Sequence, residues 1–294
     1  MILNDLSIQQ KRERTTKIIS NILNLNVIPK VVFELMKILD NPNTTAHELN
    51  KIISKDQALV TKILSVANSP LYGLQRKVST IDFAILVLGF KELKSIISVI
   101  SISDALKNKT DKYLNQKEFM LHSYMVGAAS KKIAKDMGFQ NSGEAFIAGF
   151  LHDIGISIVH RYLHSNFAMI HDLMENQKMS FRDAEIEVNG MSHEEIGSFL
   201  LEKWNFPAEI CDAVLNHHNP GKSQLSPAMA SIVSVADYMT QSLKVGELKL
   251  DKENHLDDYT LSKFNFEKEL DAEKFAAKYK DLFWEQLEFV RFLN

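Results

Sequence analysis

One cysteine, Cys211, stands in 294 residues, which excludes an intrachain disulfide and predicts a reducing compartment. Proline and glycine are scarce, at 6 and 11 residues, so long stretches run without a helix breaker. Charge of one sign is also missing: the formal net charge is -3, and no global basic field points to nucleic acid. The short basic start, Lys11-Arg12-Glu13-Arg14, is interrupted by an acid and reads as a solvated helix face. No apolar run approaches the roughly 20 residues that cross a bilayer, and the most tempting stretch, Ser95 to Ile102, is short and carries serines. The first residues, Met1-Ile2-Leu3-Asn4-Asp5, lack the basic-then-apolar pattern of a secretion signal, so the expected address is cytoplasmic.

What remains is helical. Apolar residues recur as Ile28, Val31, Val32, Leu35, Ile38 and Leu39, an amphipathic helix with Pro29 in its first turn, broken by Asn41-Pro42-Asn43. Thr45 with Glu48 has the form of a capping box, and Asp56 is placed to cap a helix from Ala58 to Asn68. Asn68-Ser69-Pro70 ends that helix. Ser79-Thr80 opens another that stops near Gly89, and Lys91 to Ala105 follows. The polar run Asn108 to Lys112 marks a junction. From Lys117 to Gln241, breaks are predicted at Gly138, Asn176-Gln177, Gly190, Phe206-Pro207 and Asn219-Pro220-Gly221. A polar loop from Gly246 to Asp258 leads to one amphipathic helix, Ala272 to Leu293, rich in aromatics and expected to pack on the chain's own core. The division this implies is 1–110, 111–245 and 246–294.

Polar residues interrupt the apolar stripes of the middle region at His122, His152-Asp153, His193, His217-His218 and Asp237. Polar groups at core-facing positions are costly unless paired or metal-bound, and a buried carboxylate most of all. Any one of these histidines by itself is an ordinary core residue. As a set on consecutive helices, they have the donor chemistry of a site for one or two divalent metals such as Mn, Fe or Zn. In that case His122, His152, Asp153 and Asp237 form one position, and His193, His217 and His218 a second. His160 and His164 have a metal-compatible spacing but no acid opposite, and read as surface, as do His47, His171 and His255.

The stretch Leu151-His152-Asp153-Ile154-Gly155, with its flanking histidines and Asp237, resembles the core of the HD superfamily of metal-dependent phosphohydrolases. A wider pattern resembles the HDOD family, the HD-related output domains of bacterial signalling proteins. It runs through Ile28-Pro29 and Asp40-Asn41-Pro42, Ile53 to Leu59, Asn68-Ser69-Pro70-Leu71-Tyr72-Gly73, Leu88-Gly89, Phe119 to Ser123, Ala148 to Gly155, Ser192 to Gly197, Trp204-Asn205-Phe206-Pro207 and His217-His218, roughly residues 20–240. The resemblance implies an all-α fold, an N-terminal helical bundle packed on an HD-like helical bundle, here with a C-terminal helical extension.

It also implies a regulatory role through a protein partner, without catalysis. Two departures bear on this. The ligand set is complete for such a domain. Yet His217-His218 is followed by Asn219-Pro220-Gly221, unlike the Gly-Tyr-Pro of the related cyclic di-GMP phosphodiesterases, and Ile156 stands where many active HD enzymes carry lysine. Arg161 and Lys203 are the remaining candidates for a phosphate ligand, each with an ordinary surface explanation. The alternatives are a metal-dependent phosphohydrolase acting on a nucleotide or cyclic dinucleotide, and a domain that binds a nucleotide without turnover.

Overall fold

The computed structural model describes residues 6–23, 44–105, 108–139, 142–248, 250 and 255–293. The predicted helix Ile28 to Leu39 and the break after it lie outside these residues. Helices fill the described chain, and no strand occurs among the described residues. They cluster into two compact units, one of residues 1–25 and 108–280, the other of residues 26–107 and 281–294.

The second unit is built from α2 (Ala46–Ile53), α3 (Gln57–Ala67), α4 (Ile81–Ala105) and, at the far end of the chain, α15 (Lys280–Leu293). Local signals decide its helix boundaries. Thr45 and Glu48 form the reciprocal capping box, and the Asp56 carboxylate accepts from the backbone N–H groups of Ala58 and Leu59. Thr80 Oγ1 accepts from Phe83 N at the start of α4, and Gly89, at φ 75, interrupts that helix. Asn68 explains the stretch that follows α3. Its side chain donates to Val78 O (2.8 Å) and accepts from Val78 N (2.7 Å), so the loop folds back on the helix end. Leu49, Ile53, Ile63, Leu93, Ile96 and Ile97 form the buried core.

The first unit holds α1 (Ile8–Leu23), α5 (Gln116–Asp136), α6 (Ser142–Leu151), α7 (Ile154–Tyr162), α8 (His164–Gln177), α9 (Phe181–Asn189), α10 (His193–Lys203), α11 (Ala208–Leu215), α12 (Pro227–Ser242), α13 (Asp258–Lys263) and α14 (Glu269–Ala277). Helix α5 packs along α6 and α12, α10 along α7 and α11, and α8 along α9. Residues Ser142 to Tyr162 are together long and apolar enough to cross a membrane, contrary to the expectation that no such run exists. They are mostly buried in the unit's core, and the chain turns at His152-Asp153 between α6 and α7.

The basic start is only in part a solvated face: Glu13 and Arg14 are exposed, while Lys11 and Arg12 are engaged. Helix α1 packs against α9 and α10: Lys11 is 5% exposed and donates to Glu187 O (2.6 Å) and Glu187 Oε1 (2.8 Å). Arg12 donates to Gly190 O (3.1 Å) and pairs with Glu195. These cations find fixed carbonyl and carboxylate acceptors on α9, α10 and the link between them, which no local pattern reveals.

The aromatic tail also departs from expectation. In place of one helix from Ala272 to Leu293 there are two, α14 and α15, which fall in different units. The backbone tightens at Lys278 and Tyr279, whose N–H groups donate to Phe275 O and Ala276 O. Tyr279 OH then donates to Asp136 Oδ2 (3.0 Å), and its ring lies against Phe275. Helices α13 and α14 pack on α12, as expected of a tail that folds back on its own chain.

Gly155 sets the distance between α7 and α10. A Cβ there would lie 2.1 Å from His193 O, a backbone atom with nowhere to go. Gly155→Ala is expected to destabilise the protein by about 3 kcal/mol through overpacking. Urea denaturation measures this, and an unchanged midpoint would show that α10 can move away freely.

Candidate metal centre

All seven predicted ligand residues meet inside the first unit, and helix ends do much of the positioning. His122 lies within α5 and Asp237 within α12. The others sit where helices begin or stop. His152 and Asp153 form the corner between α6 and α7, His193 is the first residue of α10, and His217-His218 follow the end of α11. The stripe reading therefore holds for His122 and Asp237, while the remaining positions owe their direction to chain turns.

Those turns have a physical use. The last carbonyls of a helix lack intrahelical partners. His152 Nδ1 donates to Gly149 O (2.8 Å) at the end of α6, and His217 Nδ1 donates to Val214 O (2.7 Å) at the end of α11. His122 Nδ1 donates to Gly246 O (2.8 Å). A carbonyl only accepts, so each Nδ1 carries the proton and each Nε2 turns inward as a bare lone pair. His193 Nδ1 is held instead by the Glu185 carboxylate (2.7 Å), which also accepts from His193 N (3.0 Å).

The inward nitrogens converge on Asp153, one group on each of its oxygens. Oδ2 lies 3.5 Å from His122 Nε2 and 3.3 Å from His152 Nε2. Asp237 joins this side, with Oδ1 3.4 Å from His122 Nε2. Oδ1 of Asp153 lies 3.3 Å from His193 Nε2 and 3.7 Å from His217 Nε2. His218 completes this side, its Nε2 3.1 Å from His193 Nε2. Nearly all of it is buried: side-chain exposure is 0% at His152 and His193, 2% at His122 and 6% at Asp153.

Lone pairs face lone pairs here. His122 Nε2 and His152 Nε2 are 3.3 Å apart, each with its proton committed at Nδ1, and the carboxylate beside them can only accept. His217 Nε2 is buried with no hydrogen-bond partner. Such an arrangement requires positive charge at its centre, from protons or from a cation. Two groups of donor atoms lie within 4.8 Å of one another, His122-His152-Asp153 and His193-His217-His218. Imidazole nitrogens with a shared carboxylate fit first-row divalent ions, so the residues present fit a metal.

The charges respond accordingly. Burial would raise the Asp153 carboxyl, but where protons supply the positive charge the surrounding rings of His152, His122 and His193 hold it well below the usual carboxylate range. Burial opposes charge on His193, yet Glu185, Glu194 and Asp153 raise it well above the ordinary imidazole value. His122 is raised too, burial being outweighed by Asp153 and Asp237. His217 is driven well below its ordinary value by burial and by His218 and His152, and His218 falls to about 4 through burial and His193.

Two residues escaped the sequence reading. Glu185 is fully buried among Phe181, Ala184 and Val188 on α9, and burial lifts its carboxyl to about 7 against the pull of His193. Glu194, 1% exposed, pairs with Arg182. Glu185 carried the same signal as the histidines, a polar point on an apolar stripe. Arg161 and Lys203 lie over the rings of Tyr162 and Phe199, at 5.2 and 5.5 Å.

Asp153→Ala would leave His122 and His193, the two rings whose positive charge the site favours, buried without their shared anion. We expect a loss of about 3 kcal/mol in urea unfolding performed in chelator. Unchanged stability there would mean that the rings are neutral and do not depend on the carboxylate.

A family model for the HDOD domain matches residues 25–220. Among solved structures, an HDOD domain protein of unknown function from Geobacter sulfurreducens is 26% identical with a TM-score of 0.73, covering 95% of this chain and 97% of that one. A Shewanella amazonensis protein, provisionally named a phosphohydrolase, is 20% identical with a TM-score of 0.72, covering 93% and 98%, and this likeness shows the fold. An uncharacterized protein of Treponema pallidum is 23% identical over 211 residues, 70% of this chain, and this chain spans only 40% of that protein. With its all-α fold and a match across two thirds of its length, this chain belongs to the HDOD family of signalling-type domains.

Proposed function

We propose that this protein is a cytoplasmic regulatory HDOD protein that works through a protein partner, with a divalent-metal centre as the enclosed core of its HD pocket. The burial of most of the donor set supports this reading: His152 and His193 have no exposed side-chain surface, so an ion held there would sit largely inside the helical core. The two candidate phosphate ligands, Arg161 and Lys203, lie over aromatic rings, and Ile156 is fully buried where a lysine serves active HD enzymes. His122, His152, Asp153 and Asp237 would hold one ion, and His193, His217 and His218, with the other oxygen of Asp153, a second. Mn, Fe and Zn suit these donors. Such an ion would neutralise the buried carboxylates and tie five separate chain segments together, a contribution to folding free energy.

A second reading has its own observation. Placing one set of imidazoles on each oxygen of a shared carboxylate is how two-metal phosphohydrolases are organised. That favours hydrolysis of a nucleotide or cyclic dinucleotide, or binding of one without turnover.

Elemental analysis of the purified protein and a phosphoester panel with added Mn or Fe separate these readings. The expected outcome is bound metal, no turnover, and a large fall in melting temperature on chelation. Turnover that His152→Ala abolishes would replace the first reading with the second. Glu185→Gln should weaken metal retention about 10- to 100-fold against a competing chelator, because it loosens the ring of His193.

A further inference from the structure

A second cluster of metal-type donors lies away from the HD pocket. His160 sits in the last turn of α7, and His164 opens α8. Their rings are 5.4 Å apart. Both Nε2 atoms point at one atom, Oδ2 of Asp111, at 3.0 and 2.7 Å. By spacing alone this pair reads as surface, for want of an opposing acid. The acid is supplied from the segment before α5, and His160 is only 4% exposed.

Asp111 is built for the purpose. Its other oxygen, Oδ1, accepts from the backbone N–H groups of Tyr113 (2.8 Å) and Leu114 (3.0 Å), which fixes the carboxylate and directs Oδ2 at the rings. Burial would raise its carboxyl, but bonds from His164, Tyr113, Leu114 and His160 hold it well below the usual range. His160 is the anchored donor, and His164, with 54% of its side chain exposed, opens the cluster to solution. The three donor atoms lie within 4.8 Å of one another.

We propose that Asp111, His160 and His164 form a second divalent-cation site, taking Zn²⁺ or a similar first-row ion through two imidazole nitrogens and one carboxylate oxygen. That donor set suits such ions and leaves positions for water. It shares no residue with the HD pocket, and His160 lies seven positions after Asp153, about 10 Å along the axis of α7. The ion would fasten the segment after residue 107 to α7, where Asn108 Nδ2 already donates to Ser157 O (3.0 Å) and Ser157 Oγ (2.9 Å). Since residue 107 is the last of the other unit at this crossing, the clamp would act where the chain enters the first unit. The competing state is a hydrogen-bonded latch, with both rings donating to Oδ2 and no ion.

Untagged, chelator-stripped protein titrated with Co²⁺ alone tests this, read by visible absorption and elemental analysis. His164→Ala, at an exposed position, should retain its circular dichroism spectrum and lose one equivalent of bound cobalt relative to the native chain. Asp111→Asn should lose the same equivalent, and Asp153→Asn should keep it. Native protein and His164→Ala binding equal equivalents with equal affinity would overturn the proposal and leave the latch. That failure would not touch the reading of the HD pocket, whose donors are different residues.

Discussion

The carboxylate of Asp153 is the constraint around which the first unit is arranged. A buried carboxylate costs several kcal/mol unless opposite charge and hydrogen bonds surround it. Here four imidazoles stand within 3.7 Å, two on each oxygen. In His122, His152 and His217 the outer Nδ1–H donates to a backbone carbonyl, which leaves the inner Nε2 a bare lone pair, so the centre can be neutralised only by extra protons or by a cation. The same geometry makes the residues interdependent: moving any ring exposes a lone pair to another lone pair, or leaves the carboxylate short of a partner.

Helix ends make this possible. A histidine inside a helix can offer only one direction, and its own backbone is already bonded. His152 and His217 each follow a helix terminus, where the carbonyl three residues back is free to accept Nδ1–H. One device, used twice, aims two rings at one point. Close backbone approach supplies the rest. Gly155 lets α10 come against the start of α7, and a Cβ at Gly149 would meet Ser130 Oγ at 2.5 Å, so α6 lies tight on α5. Behind His193, the buried Glu185 fixes the ring, and Lys11 and Arg12 of α1 hold the helices that carry both.

Legibility followed the range of the interaction. Capping by Thr45 and Asp56, and the break at Gly89, depend on neighbours within a few residues, and they stand where the residue types put them. The residues of the polar centre were visible because a polar residue on an apolar stripe is conspicuous, and that signal survives without knowing its partner. The tail helix was misread because its break at Lys278 and Tyr279 accompanies a bond from Tyr279 to Asp136, distant in sequence. His160 and the Lys11-Arg12 pair were misread for the same reason, since Asp111, Glu187 and Gly190 are partners brought by folding.

By itself, then, the amino-acid order determined the helical class, the family and which polar residues would gather in the core, because periodicity, caps and side-chain chemistry are properties of short stretches. Tertiary structure alone decided that the donors divide between the two oxygens of Asp153, that Glu185 stands behind His193, and that Asp111 faces His160 and His164. Those are distances between segments far apart in the chain, and only the packing of helices against one another sets such distances.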